Sequence, residues 1–521
     1  MGSLKEDLGG GQTELIETHT AWVFLGPDAV LKVKKPVDYG FLDFTSLERR
    51  KVACDAEVRL NARLAPDVYR GVLPVTRDAT GKHRIGGDGT VVDYAVSMRR
   101  LPDAARADVL LGEGRLGARD VELLAEHLAL FHDTLGSTAA AAAPFGAPDA
   151  ISRNIVENFA QARGSVSESI TEEEAKEIER GQIRFLERGH ELFERRAKSG
   201  KVRDGHGDLR LEHVYFESRA APTIIDCIEF NDRFRYADVC SDIAFLSMDL
   251  RRLGRAGLAE RFLSAYARAS GDYELYEVVD FYEGYRAYVR GKVSSMLAAD
   301  RDADVDVRNA AQADARSFFV LSLLEGRKPL IPPTLVAVGG VIASGKSTVA
   351  ERLGTFLGAP VISADRTRKE LLGVEATTKV HDAPWKGSYS SEWSERVYAE
   401  LFRRAGHVLA SGRPVVLDAS FRTAAWRSAA RATARERDVR FHFVECKAGP
   451  EECRRRLVER SRVRSVSDGR LEIFDEFVAK FEPVTELPPA EHFVVDTERP
   501  LTASLHGLLE ELPSWPEGSA T

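Results

Sequence analysis

The run Gly340-Val-Ile-Ala-Ser-Gly345-Lys346-Ser347 constrains this chain more than any other stretch, because it calls for a strand, a tight loop and a helix in succession. The apolar run Leu335-Val-Ala-Val338 feeds it as a buried strand would, and Thr348-Val-Ala-Glu-Arg-Leu353 continues it as a helix. Gly340 and Gly345 let backbone N–H groups close around phosphate oxygens, and the helix N-terminus adds partial positive charge. Lys346 reaches the outer phosphates, Ser347 offers a hydroxyl to Mg²⁺, and Ser344 and Thr348 complete the binding loop. A nucleotide site with ATP and Mg²⁺ as cofactors is expected here. The loop begins about two thirds of the way along the 521 residues, so the upstream chain is long enough for a domain of its own.

At 44% hydrophobic and 30% charged residues, the chain can build two or three packed cores. Its formal charge of −8 argues against bulk attraction to nucleic acid or an anionic membrane, so polyanion binding would need a local basic patch. The five cysteines form no CxxC pair, which points away from a disulfide framework or zinc site and toward a reducing cytoplasm. No signal-like apolar segment follows Met1, and no run of 18 apolar residues occurs, so a cytoplasmic location without membrane attachment is expected.

The segment Glu325-Gly-Arg-Lys-Pro-Leu-Ile-Pro-Pro-Thr334 reads as a connector, which divides the chain into 1–328, a linker at 329–333, and 334–521. Residues 15–100 read as a small sheet-rich lobe: strands at Ala21–Leu25 and Ala29–Val33 around the turn Gly26-Pro-Asp28, a helix near 46–64, and strands near 71–76 and 91–98. Residues 101–325 read as a larger helical lobe, with Leu123, Leu124, Leu128 and Phe131 on one face of a helix. His132 on that helix, Trp385 and Trp393 read as packing residues.

His206-Gly-Asp208-Leu-Arg-Leu-Glu-His213, followed by Thr223-Ile-Ile-Asp226, supplies parts for phosphoryl transfer. Asp208 on a short loop would orient or deprotonate a hydroxyl, and Asp226 would hold Mg²⁺ against nucleotide phosphates. Over residues 15–325 these motifs resemble the aminoglycoside phosphotransferase family, which implies an α+β, bilobal, protein-kinase-like domain. By that resemblance Lys32 grips the nucleotide phosphates, with Lys34 on the same strand face in reserve. Glu57 is the lysine's carboxylate partner, and Met98-Arg-Arg-Leu101 is the hinge that reads adenine. Asp238 and Asp242 match a structural acidic pair. The chain departs from the family at His213, where an Asn metal ligand is usual; imidazole is the poorer Mg²⁺ ligand, so the departure bears on the second metal, on activity and on metal choice. No glycine-rich loop precedes Lys32, and the insertion Pro36–Phe44 either shapes a pocket or packs.

Downstream, Pro360-Val-Ile-Ser-Ala364 ends in Asp365, with Arg366 and Arg368 after it, and Pro414-Val-Val-Leu417 ends in Asp418. Six arginines then crowd eleven residues: Arg454, Arg455, Arg456, Arg460, Arg462 and Arg464. Residues 334–500 resemble small-molecule P-loop kinases such as gluconate kinase, chloramphenicol phosphotransferase and the kinase module of polynucleotide kinases, with zeta-type toxins as more distant relatives. That resemblance implies an α/β domain with a mainly parallel sheet. In it Asp365 faces the acceptor hydroxyl, the neighbouring arginines hold substrate, Asp418 supports Mg²⁺ through water or Ser347, and Arg460 with Arg464 belong to a lid that closes over the nucleotide. The fusion as a whole resembles predicted bacterial proteins that join the two domain types.

The expected function is transfer of the ATP γ-phosphate to a hydroxyl of a small molecule at two sites. Three other readings stay open: a polynucleotide 5′-hydroxyl kinase using the arginine-rich segment, an upstream sensor or pseudokinase that regulates the P-loop kinase, and an energy-consuming ATPase or toxin-like kinase acting on a cell-wall nucleotide sugar.

Overall fold

The computed structural model describes residues 2–8, 13–40, 42–218, 221–323, 331–380, 386–513 and 515. The chain divides into two compact units, Met1–Arg252 with Phe281–Leu323, and Leu253–Asp280 with Leu324–Thr521. Residues 253–280, expected in the upstream domain, thus cluster with the P-loop unit. Residues 325–330 of the connector, Phe41 of the insertion and Trp385 lie outside the described residues.

In the first unit, β1 (Glu14–Glu17), β2 (Ala21–Leu25), β3 (Ala29–Lys34), β4 (Tyr69–Arg77), β5 (His83–Ile85) and β6 (Thr90–Arg99) form an antiparallel sheet in the order β1-β2-β3-β6-β4-β5. Alternation decides its two faces. Val33 joins Trp22, Phe24, Val75 and Ala95 under Leu4 of the helix Gly2–Leu8. Val30 turns the other way, with Val96 and Met98, toward Cys54 of the helix Leu47–Asn61. Because side chains two apart share a strand face, Lys32 and Lys34 follow Val30 toward that helix. Ser46 starts the helix by accepting the Arg49 N–H at 3.2 Å.

The rest of this unit is mainly helical, with Ala118–Thr134, Pro148–Ala162, Glu172–Arg188, Val239–Arg252, Val279–Ala299 from Phe281 onward, and Val305–Ser322. Two small antiparallel pairs interrupt it: β7 (Val202–Asp204) with β10 (Tyr236–Asp238), and β8 (Val214–Tyr215) with β9 (Thr223–Ile224). The loop bearing Asp208 lies between β7 and β8.

The second unit is built on β11 (Thr334–Gly339), β12 (Val361–Ser363), β13 (Val415–Asp418), β14 (Arg440–Lys447) and β15 (His492–Asp496), all parallel in the order β12-β13-β11-β14-β15. All six residues of β11 are buried, as a central parallel strand covered on both faces requires. The phosphate loop, Asp365 and Asp418 all sit at the carboxyl ends of these strands, where open parallel sheets bind ligands.

Residues 253–280 contribute the helix Ala256–Ser270 and the turn Tyr273–Glu277. Buried Arg413 holds them, donating from Nε to both Glu260 oxygens at 2.9 and 3.0 Å and from Nη1 and Nη2 to Asp280 at 3.0 and 2.7 Å. Arg404 lies over the Tyr273 ring at 5.2 Å, and His407 meets Glu277. Arg413→Ala should lower the unfolding free energy of this unit by about 3 kcal/mol, since it strips the guanidinium from a buried carboxylate. Arg455→Ala, which removes two exposed pairs within one helix, should leave the transition unmoved; thermal and urea unfolding of both variants checks the contrast.

Candidate active sites

Two lysines and three carboxylates meet beneath the first sheet. Lys32 Nζ lies 2.7 Å from Asp226 Oδ1 and 2.9 Å from Glu57 Oε1, while Lys34 Nζ lies 2.5 Å from Glu57 Oε2 and also pairs with Glu229. Glu57 is 1% exposed, far from an ordinary surface acid. Burial opposes its ionisation, but Lys32 and Lys34 hold its carboxyl below the usual range. Asp226 is likewise held low, burial being outweighed by Lys32, His213 and Arg210. Lys32, the lysine that touches Asp226, stays part-exposed, whereas Lys34 is sealed in. Asp226 has φ +65°, so its carboxylate reaches Lys32 from a left-handed turn rather than from a strand. Met98 lies inside β6 between β3 and β4, with its side chain in the core. The Arg99 and Arg100 amides go to the Val68 and Asp28 carbonyls. Of the expected hinge residues, Met98, Arg99 and Arg100 are therefore committed to the sheet and its turn.

The Asp208 loop is pinned from below. Asp242, at the start of the helix Val239–Arg252, accepts the His206 and Gly207 N–H groups at 2.7 and 2.9 Å and faces buried His132 at 3.4 Å. His132 is thus an electrostatic partner as well as a packing residue. Asp238 forms a buried two-pronged pair with Arg196 at 2.6 and 2.9 Å. His206 bridges the Ile225 carbonyl and the Asp208 amide. These bonds bring Asp208, His213 and Asp226 together, with one ligating atom from each within 4.8 Å of the others.

His213 is engaged at both nitrogens. Its Nδ1–H donates to the Asp208 carbonyl at 2.8 Å, and its Nε2 accepts from Arg210 Nη2 at 2.9 Å while lying 3.6 Å from Asp226 Oδ2. Arg210 also donates to Asp208 Oδ2 at 3.1 Å and pairs with Glu212. Burial, and then Arg210, bring the imidazole down to about 4. Asp208 stays ionised below its usual range: burial resists, and Arg210, His213 and Arg290 outweigh it. Arg210 and Glu229 are residues to which the sequence reading gave no role.

In the P-loop unit the cradle fits a phosphate chain. A Cβ at Gly340 (φ +139°) would come within 2.5 Å of the Cys446 carbonyl oxygen, so only glycine serves there. Gly345 (φ +87°) caps the helix Lys346–Leu357. Lys346 Nζ donates to the Val341 carbonyl at 2.7 Å, folded over the loop, and burial lowers its pKa. Ser344 Oγ is buried without a hydrogen-bond partner. Ser347 and Thr348 are exposed at the helix start, and Ser347 Oγ donates to Asp418 Oδ2 at 2.8 Å. The pairing follows from the sheet, because Asp418 stands opposite Val338 where β11 enters the loop. Burial raises Asp418 to about 6. Asp365 opens the helix Ala364–Leu371, within electrostatic reach of Lys346 and Asp418. A hydroxyl backed by a carboxylate is a donor set that suits Mg²⁺.

The arginine-rich segment differs from the expected lid. Its helix, Pro450–Arg460, ends before Arg462 and Arg464, and Arg464 is exposed with no ion pair among the described residues. Arg454 pairs with Asp475, and Arg455 with Glu452 and Glu459. Arg456 braces the phosphate loop: its Nη1 donates to the Ala343 carbonyl (3.3 Å) and Thr497 Oγ1 (3.0 Å), and Thr497 Oγ1 donates to the Ser344 carbonyl at 2.8 Å. Arg460 comes within electrostatic reach of Lys346. Arg368, expected to hold substrate, is buried, bonded to the Ser388 carbonyl and stacked over Tyr389 at 4.6 Å.

His213 generates a test by acid. An imidazole titrates near 6.5 when unfolded but near 4 here, so between those values the unfolded chain takes the proton first and the upstream unit loses stability as pH falls. His213→Gln should remove about 2.5 kcal/mol of that loss, read from urea unfolding at pH 7 and pH 4.5.

The profile of the phosphotransferase enzyme family matches residues 32–282, and that of an AAA domain matches residues 335–484. Among solved structures, a gluconokinase from Sinorhizobium meliloti 1021 is similar at 21% identity, over 35% of this chain and 91% of that one, with a TM-score of 0.25. A choline/ethanolamine kinase family protein from Mesorhizobium loti is similar at 14% identity, over 61% of this chain and 92% of that one, with a TM-score of 0.31. Uncharacterized proteins of Mycobacterium tuberculosis and Mycobacterium bovis are 33% identical over 445 residues, 85% of this chain and 86% of theirs. The chain belongs to the same family as these mycobacterial proteins, and in it a segment matching the phosphotransferase enzyme family precedes one matching an AAA domain.

Proposed function

We propose that the chain is an ATP-dependent phosphotransferase with two nucleotide sites, each passing the γ-phosphate to a hydroxyl of a small molecule in a reducing cytoplasm. The P-loop site carries the proposal, through one observation: Ser347, backed by buried Asp418, stands beside Lys346 at the mouth of a cradle that admits only glycine at position 340. When bound there, Mg²⁺ would be held by Ser347 with Asp418 behind it, and would supply positive charge to the phosphates. The protein's own groups do the rest. Amides of the loop and Lys346 bind and orient the phosphates, Arg460 adds positive charge nearby, and Asp365 orients the acceptor hydroxyl and takes its proton.

In the upstream unit, Lys32 held by Glu57 would grip the nucleotide, Asp226 would carry the metal, and Asp208 would face the acceptor in a bilobal, kinase-like arrangement. A second reading, that the upstream domain binds a ligand without turnover and regulates the P-loop site, is favoured by the Arg210 guanidinium bonded to both Asp208 and His213. There it would stand in for a cation the family places beside these residues.

Transfer of labelled γ-phosphate to sugars, nucleosides, aminoglycosides and 5′-hydroxyl oligonucleotides separates the readings. Lys346→Ala and Asp365→Asn should each cut downstream turnover at least about a hundredfold, and near-normal rates in either would refute the site. Asp208→Ala should remove a different product; if it removes none, the regulatory reading stands. Asp418 must be ionised to balance the charge of a metal held by Ser347, so kcat/KM for ATP should fall as pH drops through about 6, and Asp418→Asn should lose that limb along with most activity.

A further inference from the structure

Around Asp208 one cation, Arg290, has no bonded carboxylate among the described residues. Arg290, on the helix Val279–Ala299, is only partly exposed, and its Nε is sealed from solvent without a hydrogen bond. Its guanidinium has no ion pair among the described residues. It lies within electrostatic reach of Asp208, Asp249, Arg210 and Arg252. Arg290 and Arg252 share the ring of Phe318, with guanidinium carbons 5.7 and 4.8 Å from its centroid. The Arg252 Nε is likewise buried and unbonded, and its ion-pair partner Asp314 stands at 3.6 Å.

The nearby acids answer this charge only through space, and none is bonded to it. Asp208 is bonded to Arg210, Glu212 is paired with Arg210, and Asp249 accepts the Leu211 N–H at 3.2 Å. A partly buried guanidinium without a bonded carboxylate is costly, and its planar fork suits a phosphate or carboxylate. A polycationic acceptor would meet three guanidinium groups beside the base, whereas an anionic one would neutralise them.

We propose that the upstream site takes an alcohol bearing an anionic group, phosphate or carboxylate, and that Arg290 with Arg252 binds that group while Asp208 faces the hydroxyl. The proposal rests on reading Asp208 as the group on the acceptor side. In the transfer, the acceptor oxygen bonds to the γ-phosphorus as the bond to the β–γ bridging oxygen breaks. ADP departs with that electron pair, and the hydroxyl proton passes to Asp208.

The test uses the full chain with the downstream site silenced by Lys346→Ala. Acceptors are compared in pairs that differ by one phosphate, glycerol with glycerol 3-phosphate and glucose with glucose 6-phosphate, and with kanamycin as a cation. The phosphorylated member should have the higher kcat/KM, by about tenfold or more, as a charged hydrogen-bond pair warrants. Arg290→Gln should erase that preference through KM for the acceptor, with Arg290→Lys restoring part of it. Preference for the neutral or cationic compounds overturns the proposal. So does a change confined to KM for ATP, which would assign the arginine to nucleotide phosphates.

If no compound is phosphorylated, equilibrium dialysis with labelled glycerol 3-phosphate and inorganic phosphate decides separately. Binding that weakens about tenfold or more in Arg290→Gln supports the anion site while refuting upstream catalysis. Equal binding, or none, in both proteins refutes the anion site. Should Arg290→Gln fail to fold by circular dichroism, Arg252→Gln carries the same comparisons.

Discussion

Lys32 and Lys34 stand beneath the upstream sheet because Asp226, Glu229 and the shared Glu57 offset their burial, and Glu57 is held ionised there by the two lysines. A lone charge in such a place would lose its proton or gain one; here the opposing charges keep each other ionised. The cluster also joins pieces far apart in the chain: β3 supplies the lysines, the helix Leu47–Asn61 supplies Glu57, and the turn after β9 supplies Asp226 and Glu229. Register follows from it, since a one-residue slip of β3 would send both lysines to the face that Val33 occupies under Leu4.

The P-loop was legible because its chemistry is local. Eight consecutive residues carry the glycines, the lysine and the hydroxyl, and the strand and helix around them follow from simple runs. Lys32 with Glu57 was legible only through the family resemblance, and the folded structure separates Lys32, which reaches Asp226, from Lys34, which does not. Met98 shows the opposite limit. A sequence marks a strand's end but not which amides the neighbouring strands will consume.

The arginine-rich segment misleads for a related reason. Charge density is visible in a sequence, but charge availability is not. Glu452 and Glu459 stand three or four residues from Arg455, so that much of the neutralisation could be read locally. The contact from Arg456 to Thr497 and the phosphate-loop carbonyls spans distant segments and leaves no local trace. Arg210 sat inside a recognised motif yet attracted no role, because nothing in the spacing says that His213 will spend its Nε2 on a guanidinium.

The helix Ala256–Ser270 and the turn after it give the fusion an unusual kind of joint. Their place in the sequence is with the phosphotransferase profile, which extends to residue 282, but they pack with the P-loop unit. The chain therefore changes units three times, after residues 252, 280 and 323, rather than once at a connector. A protease that nicks the proline-rich connector would not release a kinase domain, because the larger fragment would still hold the smaller one through Arg413, Glu260 and Asp280.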